Sequence, residues 1–215
     1  MELLALAWDL LVHLDRHLGE LVRSYGAWVY LILFAIIFCE TGLVVTPILP
    51  GDSLLFVAGG LAALGGLDVN VLVVSLTLAA ILGNTTNYAI GRWMGRRFFD
   101  GGRSRWIRRE HLDRTHAFYE RHGGAAVVIS RFLPIIRTYV PFVAGLARMG
   151  SASFTAYNVG GAILWVGSLG YAGYFFGNLP WVRANLSLII VGIIVLSLVP
   201  LAVAAWKSRG DANRA

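Results

Sequence analysis

The stretch Glu40-Thr41-Gly42-Leu43-Val44-Val45-Thr46-Pro47-Ile48-Leu49-Pro50-Gly51-Asp52 decides how this 215-residue chain folds. It sits in an apolar run from 26 to 64 that is long enough for lipid, yet it carries two acids and two prolines. A second stretch, Arg131-Phe132-Leu133-Pro134-Ile135-Ile136-Arg137-Thr138-Tyr139-Val140-Pro141, repeats the design with two bases. A charged side chain at the centre of a bilayer costs about 2.5–3.5 kcal/mol on insertion scales, so such residues are paired or functional. Proline removes a backbone donor and disfavours helix in the residue before it. Both stretches therefore read as broken helical hairpins.

The rest of the composition agrees with a membrane setting. The chain is 57% hydrophobic and 14% charged, with a mean hydropathy of +0.69. A soluble domain carries about 25% charged residues. The single cysteine, Cys39, lies in an apolar run, excludes an intramolecular disulfide and reads as a packed thiol. The five histidines all lie outside the apolar spans, and no Cys/His spacing suggests a metal or other cofactor. The chain begins Met1-Glu2 without a basic leader, so no signal peptide is expected.

Residues 1–24 place Leu3, Leu6, Leu10, Leu14, Leu18 and Leu21 at helical spacing among charges, which predicts an amphipathic interfacial helix, a soluble cap being the alternative. The first hairpin is expected over 26–64, its second arm starting at the Asp52-Ser53 cap, with a turn at Gly65-Gly66-Leu67-Asp68. A spanning helix follows at 69–91, and together these make repeat 1, residues 25–91. Residues 92–122 hold nine arginines against four acids, a net +5 that predicts a cytoplasmic segment. Binding of nucleic acid or anionic lipid is a second explanation of that charge, but orientation accounts for it without a partner. Repeat 2, residues 123–178, holds the second hairpin at 125–147 and a spanning helix at 152–178. A last spanning helix at 181–206 leads to a basic tail, 207–215, which is also expected in the cytoplasm. Trp93, Trp181 and Trp206 read as interface anchors.

Phe56-Val57-Ala58-Gly59 recurs as Phe142-Val143-Ala144-Gly145, and Tyr88-Ala89-Ile90-Gly91 is echoed by Tyr174-Phe175-Phe176-Gly177. Both echoes are 86 residues apart, so the chain contains an internal repeat. Counting crossings from the cytoplasmic segment makes the copies inverted, the arrangement of secondary transporters with broken helices. The fold class expected is an all-α polytopic membrane protein in which the two hairpins meet tip to tip.

Between 25 and 91 the only charges are Glu40, Asp52 and Asp68, and between 123 and 182 they are Arg131, Arg137 and Arg148. Asp68 and Arg148 fall near expected ends. Glu40, Asp52, Arg131 and Arg137 remain as the candidate site, shaped by Pro47, Pro50, Gly51, Pro134 and Pro141. One reading is purely structural ion pairing. The other gives the carboxylates a proton-carrying role and the arginines a phosphate-clamping role. Backbone amides freed at the second helix starts, near Gly51-Asp52 and Thr138, would add to an anion site. Asn84, Asn87 and Asn158 read as helix-to-helix hydrogen bonders, and the abundant glycines as close-packing positions rather than a path.

Phe38-Cys39-Glu40 through Asp52 and on to Phe56-Val57-Ala58-Gly59 resembles the bacterial DedA family, as does Arg131-Phe132-x-Pro134-x-x-Arg137-Thr138-x-x-Pro141-Phe142-Val143-Ala144-Gly145. The resemblance covers nearly the whole chain and extends to the wider group with a SNARE-associated Golgi, or VTT, domain. It implies a multi-pass bacterial inner-membrane protein dependent on the proton motive force. It further implies movement of undecaprenyl phosphate or another phospholipid for envelope synthesis. Glu40 and Asp52 match the family's acidic pair, and Arg131 and Arg137 match its arginine pair. The chain departs at Gly83-Asn84, where the resemblance leads one to expect Gly-Asp. The expected function is a proton-dependent lipid flippase without enzymatic activity, with lipid and protons as partners. The alternative is a proton-coupled exporter or antiporter. An enzyme acting on lipid phosphates lacks a Cys, His or Ser nucleophile motif in the apolar spans. A homodimer is one oligomeric state the sequence allows.

Overall fold

The structure, a computed structural model, describes residues 14–43, 51–99, 124–177, 179–184 and 192. These are helical throughout, joined by turns. In order they are α1 (Leu14–Tyr25), α2 (Trp28–Gly42), α3 (Gly51–Ala63), α4 (Val69–Phe99), α5 (its described residues 124–130), α6 (Pro134–Leu146), α7 (Ser151–Phe176) and α8 (Pro180–Ala184). Of the expected amphipathic segment, 1–13 lies outside the described residues, as does most of the helix expected at 181–206.

The described residues of each apolar stretch form two separate helices. The first divides into α2 and α3, of 15 and 13 residues, each short of the roughly 20 needed to span a bilayer. Pro47 and Pro50 lie outside the described residues. The second breaks in a turn at 131–133, and α6 begins at Pro134, whose missing N–H is no loss in a first helical turn. The expected helix 69–91 is contained in a longer one, because α4 continues to Phe99 through Arg92, Arg96 and Arg97. Gly91 does not end it. Instead, Arg92 Nη1 donates to the Tyr88 hydroxyl (2.7 Å) and to Ser151 Oγ (2.8 Å), fastening this part of the helix. At its other end, Asp68 Oδ1 accepts from the backbone N–H groups of Asn70 (2.8 Å) and Val71 (3.0 Å) and so caps α4.

Val69–Gly95 and Ser151–Phe176, 27 and 26 residues, are long and apolar enough to cross a membrane. At 1.5 Å per residue each is about 40 Å, against a hydrocarbon core of about 30 Å. Val71, Val74, Leu78 and Leu82 form an exposed apolar stripe at helical spacing along α4. Water would not tolerate such a contiguous stripe, but lipid does. Cys39 also faces outward, contrary to the packed thiol expected, while its neighbour Glu40 is wholly buried.

The helices form two compact units. The first comprises 1–29, 50–72 and 169–215, and the second 30–49 and 73–168. In the first unit α1 packs on α3 and buries Leu18. In the second, Tyr88, Val127, Ala144, Ala147, Met149 and Phe154 form a core, with the Tyr88 and Phe154 rings stacked at 4.1 Å.

The units do not coincide with the two repeats. The Phe-Val-Ala-Gly helix of each copy packs on the Tyr-x-x-Gly helix of the other. In the first unit a Cβ on Gly59 would collide with the Gly170 carbonyl, and one on Gly173 with the Phe56 carbonyl. In the second, a Cβ on Gly145 would collide with the Tyr88 carbonyl, and one on Gly91 with the Phe142 carbonyl. The two contacts differ in register. Phe142 over Gly91 corresponds, at the repeat offset of 86, to Phe56 over Gly177. Phe56 instead lies over Gly173, four residues or about one turn away.

Gly145→Ala should therefore lower thermal stability in detergent by about 1–3 kcal/mol, the usual cost of overpacking. Gly160→Ala, whose added methyl meets nothing within 4 Å, should be neutral or stabilising, since alanine favours helix. Unfolding followed by size-exclusion fluorescence compares the two.

Candidate functional site

The second unit places opposite charges in contact at its centre. Glu40, in the last turn of α2, meets Arg137, in the first turns of α6, in a charge-assisted hydrogen bond between Arg137 Nη2 and Glu40 Oε1. The side chains are 0% and 3% exposed. Ninety-seven residues separate them in sequence. The Arg137 guanidinium also lies over the indole of Trp165, 4.7 Å from the ring centroid. Trp165 is fully buried in α7, so the cation has a carboxylate at one partner atom and an aromatic face beside it.

Pro141, inside α6, has no N–H to give the carbonyl four residues back, which is that of Arg137. The helix is thus locally weakened at the residue that carries the charge. The Arg137 backbone N–H, by contrast, is already bound to the Leu133 carbonyl at 2.9 Å. Because α6 starts at Pro134, Thr138 is inside the helix, which corrects the expectation of a freed amide there. Thr138 contributes its carbonyl instead.

That carbonyl accepts from Asn87 Nδ2 (2.8 Å), and the same nitrogen donates to the Thr41 carbonyl (3.3 Å). Thr41 lies at the C-terminal end of α2, where carbonyls lack intrahelical donors. Asn84 is also buried, one turn from Asn87 on α4.

Arg131 lies in the turn before α6 at 1% exposure. Its Nη2 donates to Asn158 Oδ1 (2.6 Å) and to the Ala80 carbonyl (3.2 Å). Asn158 Nδ2 in turn donates to the Ile81 carbonyl (3.1 Å) and Thr85 Oγ1 (3.2 Å). Gly161 leaves the room this side chain needs, since a Cβ there would come within 3.0 Å of Arg131 Cδ. Nε and Nη1 of Arg131 have no acceptor among the described residues. Asp52 and Gly51 open α3 in the first unit, Gly51 buried and Asp52 half-buried.

A model of the VTT domain matches residues 49–175. Protein DedA of Escherichia coli is 54% identical over 217 residues, covering 100% of this chain and 99% of that protein. The chain belongs to the DedA family of VTT-domain membrane proteins. An uncharacterized membrane protein of Mycobacterium leprae is 45% identical over 83% of this chain and 80% of its own. Inner membrane protein YqjA of Escherichia coli is 34% identical over 84% and 85%. No solved structure matches with significance.

Within this DedA-family site, sequence reasoning missed Trp165 and Gly161. Trp165 carried a signal: it falls in the middle of the span expected at 152–178, whereas membrane tryptophans favour the ends. Gly161 carried none, because one glycine of many is distinguished only by what packs on it.

Removing one partner of a buried ion pair leaves an uncompensated charge and costs about 3–5 kcal/mol, whereas replacing both with apolar groups is often near neutral. Glu40→Leu and Arg137→Met should each lower the melting temperature in detergent more than the double variant does. Thermal unfolding of the three proteins measures it.

Proposed function

We propose that this protein flips an anionic lipid, undecaprenyl phosphate or another phospholipid, across the bacterial inner membrane in a proton-dependent step that serves envelope synthesis. The observation that carries the reading is the buried Glu40–Arg137 pair, formed between two interrupted helical segments of an apolar chain. Each interrupted pair enters and leaves the membrane on one face, and the arginine-rich segment and tail are cytoplasmic.

The chemistry follows from neutrality. In an apolar site the ion pair is net neutral. When Glu40 takes a proton, Arg137 loses the countercharge of that carboxylate. A lipid phosphate then replaces the carboxylate as the partner of Arg137, through the charge-assisted hydrogen bonds a guanidinium makes to phosphate. Proton and phosphate therefore bind together, and a proton gradient drives the head group in the direction protons flow. The spare Nε and Nη1 of Arg131 support a second phosphate contact. Asp52 is the further proton-carrying candidate, placed in the first turn of α3.

The test is flipping of fluorescent undecaprenyl phosphate by purified protein in liposomes, with and without a pH gradient. Flipping should rise with the gradient and fall at least tenfold in Glu40→Gln and Arg137→Ala. Proton flux with no lipid movement would overturn the reading in favour of a proton-coupled exporter. Unchanged flipping in both variants would overturn the assignment of the site.

A further inference from the structure

Position 87 of α4 is occupied differently from its repeat equivalent. At the offset of 86, Asn87 corresponds to Gly173, and Asn84 to Gly170. In the first unit these glycines are where α3 comes down onto α7, with the Phe56 carbonyl against Gly173. In the second unit the asparagines fill the equivalent positions, and α6 meets α4 one turn further on, at Gly91. A backbone cannot approach Asn87 as closely as it approaches a glycine. The turn vacated on α4 is the one whose side chain reaches Thr138 and Thr41.

We infer that Asn87 is the positioning residue of the Glu40–Arg137 pair. Its one amide nitrogen grips the carbonyl of Thr41, which follows Glu40, and that of Thr138, which follows Arg137. Both acceptors are carbonyls and cannot donate, so the group facing them is the NH2, and the orientation of the amide is fixed. The two backbones that carry the pair are thereby tied to one rigid point on a helix long enough to cross the membrane. Glycine contacts pack both α2 and α6 on α4, and the Asn87 amide adds a directional tie at the two residues next to the charges. Asn87 is fully buried, so water does not compete for either hydrogen bond. Asn87 touches neither charged side chain in the hydrogen bonds described. It acts on the pair through the main chain of its neighbours.

The inference rests on the site proposed above, and its test is readable without transport. In a Cys39→Ser background, Glu40→Cys and Arg137→Cys are introduced together and joined by a short membrane-permeant bis-methanethiosulfonate. With the ion pair gone, the clamp still ties the two positions to α4 beside the helix packing. Adding Asn87→Leu should reduce the cross-link yield at least threefold, and unchanged yield overturns the inference. In the otherwise native chain, Asn87→Leu should lower gradient-driven flipping more than gradient-independent flipping, whereas equal losses would mark a general packing defect and also overturn it. If Asn87→Leu does not give a monodisperse protein, Asn87→Asp, of similar shape but without the N–H donors, is read in the same way. Failure of both to fold would show that Asn87 holds the fold rather than the pair, and the inference falls. Absence of lipid flipping in every protein would overturn the proposed function while leaving the cross-link result to stand.

Discussion

A charge surrounded by hydrocarbon must be neutralised where it stands. Glu40 and Arg137 do this for each other, and the second unit is arranged so that they can. Their contact brings the last turn of α2 against the first turns of α6. It needs the indole of Trp165 beside the guanidinium and a donor for the carbonyls left at the end of α2. The turn at 131–133 supplies the interruption before α6, and α4 and α7 supply the partners.

The same rule governs Arg131, with a different solution. Its partners are neutral: an asparagine oxygen and a main-chain carbonyl of α4. The two arginines looked alike in the sequence, yet one is held by a countercharge and the other by dipoles. That difference leaves Arg131 with donor capacity to spare.

Much of this was legible before any coordinates. Charges in apolar runs are few, so Glu40, Arg131 and Arg137 stand out, and Pro134 announces the start of α6. The Phe-Val-Ala-Gly echo marked the right helices because a glycine contact tolerates no side chain. Other features were hidden for physical reasons. The roles of Asn87 and Asn158 depend on which carbonyls reach them, and carbonyls are the same at every residue. The extension of α4 to Phe99 was obscured because the arginines after Gly91 read as the start of a loop, while Tyr88 and Ser151 hold Arg92 within a helix. The four-residue difference in register lies between copies that share the Phe-Val-Ala-Gly and Tyr-x-x-Gly motifs, and the asparagines at 84 and 87 hint at it.

The exchange of helices between the repeats also sets an order of birth. In the second unit, Gly91 waits for Phe142, 51 residues later in synthesis (142 less 91). In the first, Phe56 waits for Gly173, 117 residues later (173 less 56). At about 5–20 residues per second the second wait lasts roughly 6–23 s. During that time α3, with its glycine face and Asp52, has left the ribosome without the helix it will pack against. The half holding the Glu40–Arg137 pair has all its helices made while the chain is still growing. Neither repeat, released alone, carries the partner its own glycines are cut to fit.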